Sequence, residues 1–287
     1  MHSLQRKKIY FLPNVITAFG LSCGLFVIFK MNMTGIGEVT PQILTAVTAI
    51  LLLAAFADLM DGAVARVIKA ESDFGVVFDT LADAISFGVA PSVIILKSLS
   101  VDPSTKLSFL VTMSAIVFSL CGVLRLVRFN VAALATKNNV ELAVAHKKHF
   151  TGLPIPAAAA AAVSLNFFLF NPNFEWVKQF PIHSQTWILS VMLMLLGYCM
   201  VSRWKFPSVK SLEIKVSSFR LVFFTVLAAV LVFYGILHHF ALACTVLSWG
   251  YILLALTLAM FRVVAGRRSK TLEEFEPEPE ELDEVEE

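Results

Sequence analysis

Eight times along this 287-residue chain the polar positions give way to an apolar run about as long as a bilayer is thick. The runs are Leu12–Phe29, Ile43–Met60, Val77–Leu96, Leu107–Leu124, Leu153–Phe170, Thr186–Val201, Phe219–Leu237 and Ala241–Phe261. Each approaches the ~20 residues a helix needs to cross hydrocarbon, and the sixth is the shortest. In hydrocarbon every backbone N–H and C=O must be paired within the chain, so uninterrupted runs of this length predict helices rather than barrel strands. No Ala-x-Ala cleavage pattern accompanies the first run, which is expected to stay as a helix. The pattern therefore predicts an all-α, polytopic helical bundle with about eight transmembrane helices.

Composition strengthens that reading. The chain is 57% hydrophobic and 15% charged, against roughly 45–50% and 25% for soluble domains. The formal net charge of +2 hides a split: ten acids and no base lie between Thr271 and Glu287, leaving 23 − 11 = +12 on the remainder. With the N-terminus inside, the loops and flanks hold nineteen Lys and Arg on the inner side and four on the outer side. Both termini are then expected in the cytoplasm. The division is a basic N-terminus over 1–11, a membrane domain over 12–269 and a disordered acidic tail over 270–287. Cys23, Cys121, Cys199 and Cys244 each stand alone in an apolar run, which argues against a disulfide framework or a zinc site.

The acids outside the tail are unevenly placed. Asp58 and Asp61 are three apart and share a helix face, as do Asp79 and Asp83, four apart. The short connection Val67–Phe74 predicts an antiparallel hairpin, with the two carboxylate pairs facing each other at the inner membrane edge. Four such charges repel one another, and the nearby Arg66 and Lys69 do not balance them. Divalent metal does: an all-oxygen set suits Mg²⁺ or Mn²⁺, and two ions bridged by shared carboxylates suit phosphoryl chemistry. Gly62 and Ala65 lie beside the aspartates, where a bulky side chain would block a ligand. Two other readings of the same acids stay open: a cation-coupled transporter, and a scaffold with a structural metal.

The spacing D-x2-D-G-x2-A-R-x8-G-x3-D-x3-D is met by Asp58, Asp61, Gly62, Ala65, Arg66, Gly75, Asp79 and Asp83. It resembles the signature of the CDP-alcohol phosphotransferases. Ala84-Ile-Ser86-Phe87-Gly88-Val-Ala-Pro91, Arg125-Leu-Val-Arg128-Phe129-Asn130 and Phe150-Thr151-Gly152-Leu153-Pro154-Ile-Pro156 are similar to the phosphatidylserine synthase branch. Phosphatidylglycerophosphate synthases usually have Lys where Ala84 stands. Leu12-Pro13-Asn14-Val-Ile-Thr17 resembles the family's lead-in to its first helix. The resemblance runs from about Leu12 to Ser208 and leaves the last two helices without a motif.

The resemblance implies a six-helix catalytic core with its motif over 58–83, and transfer of a phosphatidyl group from CDP-diacylglycerol to L-serine with release of CMP. It implies divalent metal, Mg²⁺ or Mn²⁺ and two ions, on Asp58, Asp61, Asp79 and Asp83, with Asp83 as general base. Arg66 would contact the nucleotide phosphates, and Gly62, Ala65 and Gly75 would leave the nucleotide room. Asn14 and Thr17 could reach the nucleotide; the other reading makes them caps at a helix start. At least one of Arg125 and Arg128 would read the serine carboxylate or a lipid phosphate, unless they only snorkel to anionic lipid. Partners are then both substrates and membrane lipid, with no nucleic acid, and the protein would be a homodimer in a bacterial or archaeal cytoplasmic membrane. Within the family another acceptor alcohol, such as glycerol 3-phosphate, inositol phosphate or choline, stays open.

Overall fold

A computed structural model describes residues 2–35, 37–68, 72–99, 101–102, 104–137, 150–170, 181–202, 205–206 and 240–265. Along them run α1 (His2–Met33), α2 (Pro41–Val67), α3 (Asp73–Asp83), a π-helical turn (Ala84–Val89), α4 (Ala90–Ser98) and α5 (Lys106–Lys137). Then come β1 (Phe150–Thr151), α6 (Ile155–Leu169), α7 (Ile182–Val201), β2 (Lys205–Phe206) and α8 (Phe240–Ala265). Among the described residues, six segments are long and apolar enough to span a membrane: Phe11–Met33, Pro41–Ala65, Phe74–Ser98, Lys106–Val131, Ile182–Val201 and Phe240–Thr257. The protein is thus an all-α polytopic integral membrane protein. The expected span Phe219–Leu237 and the tail over 270–287 lie outside the described residues.

Two expectations about span length reverse. The fifth run forms the short helix, α6, of 15 residues. Pro154 is its N-cap and Pro156 sits in its first turn, so the helix cannot extend backwards. Just before it, Gly152 turns the chain at φ +83°. The sixth run reaches 20 residues because Ile182-His183-Ser184-Gln185 joins the helix. Gln185 and Thr186 are buried within the protein, so their polarity does not meet lipid. The third run is not one α-helix either: α3 and α4 are separated by the π-helical turn, where the Ala90 N–H reaches back to the Ile85 carbonyl.

Packing follows from where the small residues lie. Helix α1 runs along α2 and also contacts α3, the π-helical turn and α4. The turn and α4 contact α5 and α6, α7 lies along α5, and α8 packs on α6. Lipid tails are as apolar as leucine, so helix association in a membrane rests on close fit and shared hydrogen bonds. Ala158, Ala159, Ala161 and Ala162 accordingly form the buried face of α6. A Cβ on Gly122 of α5 would come within 2.8 Å of Ile155 Cδ1, so that glycine lets α5 and α6 approach. Large apolar side chains such as Phe19, Phe56, Phe109 and Trp187 are exposed on the outside, where lipid takes them. The β1–β2 ladder pairs Phe150 with Phe206 and Thr151 with Lys205, tying the start of α6 to the chain after α7. The four cysteines are free and helical, as small apolar fillers.

Candidate active site

Asp58 and Asp61 occupy the last turns of α2, and Asp79 and Asp83 the second half of α3. Helix α3 starts where Ser72 accepts a hydrogen bond from the Gly75 N–H at 3.1 Å, an N-cap that sets the register of both later aspartates. Helices α2 and α3 form the expected hairpin in sequence but are not pressed together, since each leans mainly on α1. That separation opens a cleft of about 200 Å³, floored by Thr17, Gly20 and Leu21 of α1 and lined by all four aspartates, with Ser86 and Phe87 at its end.

Within the cleft, carboxylate oxygens of Asp58, Asp61 and Asp79 all lie within 4.8 Å of one another. The Asp83 carboxyl is in hydrogen-bonding contact with Asp58. Asp61 is only 4% exposed, an unusual position for a carboxylate. At an effective dielectric of ~20, two like charges at this separation repel by on the order of 3 kcal/mol. The donor set is hard, all-oxygen and convergent, with one open side, and these residues fit a divalent cation such as Mg²⁺ or Mn²⁺.

The structure separates the other expected site residues. Gly62 is exposed, and a Cβ there would meet nothing within 4 Å, so its small size leaves open space beside Asp61. Ala65 follows on α2, half-buried. The room at Gly75 is taken by the chain itself: a Cβ would lie 3.1 Å from both Asn14 Oδ1 and Ser72 Oγ. Asn14 is therefore placed against the start of α3. Asn14 and Thr17 lie inside α1, which begins at His2, so neither caps a helix start. The Arg66 side chain lies outside the described residues.

Thr17 has a role that the sequence reading missed. Its hydroxyl donates to Asp61 Oδ2 at 2.5 Å, fixing the most buried carboxylate from a third helix. The Ser86-Phe87-Gly88 stretch proves to be the π-helical turn directly after Asp83, a type of irregularity frequent at functional sites. Ser86 fills the space that Gly24 leaves on α1, so the turn seats tightly against the cleft floor. A glycine seven residues beyond Thr17, read with the serine of the turn, was the available signal, but nothing in sequence spacing pairs them.

Arg125 and Arg128 share a face of α5 yet do different things. Arg128 donates to the Val201 carbonyl at 2.9 Å, bracing the end of α7. The Arg125 Nε is buried and has no hydrogen-bond acceptor among the described residues. The charge on Arg125 interacts with Asp83. Arg125 thus holds unused donor capacity on α5.

Comparison with known proteins agrees with this geometry. Residues 10–202 match the family model described as CDP-alcohol phosphatidyltransferase. The chain is similar to the CDP-diacylglycerol–serine O-phosphatidyltransferase of Bacillus subtilis, 32% identical over 200 residues, covering 70% of this chain and 92% of that one. The protein of the same name from Helicobacter pylori is 31% identical over 217 residues, covering 75% of this chain and 79% of its own. Its namesake from Methanocaldococcus jannaschii is 34% identical over 177 residues, covering 58% of this chain and 69% of its own.

Proposed function

This chain belongs to the CDP-alcohol phosphatidyltransferase family, and from that premise we propose that it transfers the phosphatidyl group of CDP-diacylglycerol to the hydroxyl of L-serine, giving phosphatidylserine and CMP. The observation that carries the reading is the half-buried cleft where four carboxylates from α2 and α3 converge. The similar proteins named for the serine reaction support the acceptor.

The serine hydroxyl oxygen attacks the lipid-bearing phosphorus, an O–P bond forms, and the bond from that phosphorus to the CMP oxygen breaks. Asp83 takes the hydroxyl proton, and CMP leaves with the bonding pair. Asp58, Asp61 and Asp79, with Asp83, would hold divalent cations, which when bound offset the diphosphate charge and the charge growing on CMP. Thr17 holds the Asp61 carboxylate in place for that task. Gly62 and Ala65 leave the nucleotide side open, Arg66 contacts the phosphates, and Asn14 and Gly75 border the same edge. Arg125 receives the carboxylate of the incoming serine. Diacylglycerol tails stay in lipid while the nucleotide stays in water, which suits a cleft at helix ends rather than at mid-bilayer. The nineteen-to-four distribution of Lys and Arg supports a cytoplasmic site in a bacterial or archaeal membrane. Two ions and a homodimer belong to the same proposal.

The test is CMP release by purified protein given CDP-diacylglycerol and Mn²⁺ or Mg²⁺. L-serine is supplied, and then glycerol 3-phosphate, inositol phosphate or choline in its place, with Asp83→Asn as the control. Release that requires serine and is lost in the variant is expected. Release with another alcohol instead would overturn the acceptor, and no metal-dependent release with any of them would overturn the enzyme.

A further inference from the structure

Asn130 ends the Arg125–Asn130 stretch of α5 and has no task in the reaction so far. Its side-chain amide donates to Thr80 Oγ1 on α3 at 2.8 Å. The Thr80 hydroxyl in turn donates to the Val76 carbonyl at 2.8 Å, so the two bonds run in one direction, from α5 into the backbone of α3. Thr80 stands next to Asp79 and three residues before Asp83. Both partners lie in candidate spans, where hydrogen bonds between helices hold register.

The other supports of α3 come from one neighbour. At its start Gly75 lies against Asn14, and just past its end Ser86 lies against Gly24, both residues of α1. Two supports on one helix set the distance of α3 from α1 but leave it free to roll about the line that joins them. Helix α3 does not lie along α5 as it lies along α1, so the Asn130 bond is a third support, placed off that line. Ser119, eleven residues earlier on the same face of α5, holds the π-helical turn instead, at the Gly88 carbonyl. The roll matters because Asp79 and Asp83 are carried by α3, whereas Asp58 and Asp61 are carried by α2. A roll of about 10° swings a carboxylate ~6 Å from the helix axis by about 1 Å, several times the ~0.2 Å within which metal–ligand distances must fall.

We propose that Asn130 is a positioning residue for the carboxylate cleft: its bond to Thr80 fixes the rotation of α3, and thereby the approach of Asp79 and Asp83 to the aspartates of α2. This rests on the reading of the cleft as a divalent-cation site. It does not depend on which alcohol accepts the phosphatidyl group.

The experiment titrates Mn²⁺ against the melting temperature of the purified full-length protein in detergent, a readout that needs no turnover. In Asn130→Ala the Mn²⁺ concentration for half-maximal stabilisation should rise about three- to tenfold, the worth of one hydrogen bond. Thr80→Val, which removes the acceptor, should give the same rise, and Thr80→Ser, which keeps it, should not. The double variant Asn130→Ala with Thr80→Val should fall short of the product of the two effects, because both remove one bond. Ser119→Ala loosens α5 at the turn and should lower the melting temperature with the Mn²⁺ midpoint unmoved. An unmoved midpoint in Asn130→Ala and Thr80→Val, an equal shift from Ser119→Ala, or a double variant showing the full product would overturn the proposal. If Mn²⁺ does not stabilise the unaltered protein, the cation reading fails and takes this proposal with it. If Mn²⁺ binds and CMP release requires another alcohol, the serine reading fails alone, and the midpoints still decide the role of Asn130.

Discussion

Polar side chains are buried both in the cleft between α2 and α3 and along the seams of α4, α5, α6 and α8, but the seam hydroxyls of Ser92, Ser119, Ser164 and Ser248 find partners within the chain while the cleft carboxylates mostly meet one another. In the seams, the Ser119 hydroxyl donates to the Gly88 carbonyl at 2.8 Å and accepts from Ser92 at 2.9 Å. Ser164, Ser248 and Trp249 are paired in the same way between α6 and α8. In the cleft, carboxylates meet other carboxylates, with Thr17 donating to one of them. Hydrocarbon tolerates polar groups that are paired and penalises those that are not. These seam hydroxyls are therefore satisfied as folded, although Asn166 Oδ1 on α6 is not, whereas the cleft is held in a state that a cation and a phosphate would relieve.

The sharpest way to break that contrast is to remove a cleft carboxylate. Asp79→Asn should lower metal-dependent CMP release by on the order of 10³-fold. The same change should raise metal-free thermal stability in detergent, because a like charge disappears from the cleft. Added Mn²⁺ should raise the melting temperature of the unaltered protein and not that of the variant. A drop in stability without metal would mean that the carboxylates are structural after all.

Thr17→Val comes next, since it removes a donor to Asp61 while keeping the shape. A hydrogen bond to a charged group contributes about 1.5–3 kcal/mol, so the metal concentration for half-maximal activity should rise by about tenfold or more. Thr17→Ser should restore it, and saturating metal should recover most of the rate. Loss of rate that metal cannot recover would place Thr17 on the substrate instead.

These two residues also mark how far the sequence could be read. Asp58, Asp61, Asp79 and Asp83 were legible because helical spacing puts each pair on one face and the short loop brings the pairs together. Thr17 sits 44 residues from Asp61, and only the lean of α2 and α3 on α1 joins them. The apolar runs marked the described spans. They could not show the π-helical turn, because Ala84–Val89 is as apolar as the helices around it and the irregularity is set by packing against α1 and α5. Arg125 and Arg128 looked equivalent at three residues apart, and only the position of the Val201 carbonyl separates a brace from an unused donor. Hydropathy alone drew the fifth run, Leu153–Phe170, slightly longer than α6, whose start Pro154 and Pro156 mark.

Ser119→Ala probes the border between the two regions, since the π-helical turn begins right after Asp83. It leaves the Gly88 carbonyl and the Ser92 hydroxyl each without a partner they now have. Thermal unfolding should show a loss of about 1–2 kcal/mol, with the metal dependence of CMP release unmoved. A shift in metal dependence would assign the turn to the site rather than to the scaffold.

The smallest effect is expected deep in the seam, at Ser248→Ala. The shared hydrogen bond with Ser164 is lost, but Ser164 keeps the Ala161 carbonyl of its own helix as acceptor at 3.1 Å. Trp249 and Thr245 still hold α8 in place. Because no group is left unpaired, the cost should be near the ~0.6 kcal/mol typical of hydrogen bonds between membrane helices, a fall in melting temperature of about 1–2 °C. CMP release should be unchanged. So low a value for so close a pair would be the signature of a seam with redundant partners. A loss several times larger would show that α8 hangs on this one contact, and the contrast between paired seam hydroxyls and crowded cleft carboxylates would narrow accordingly.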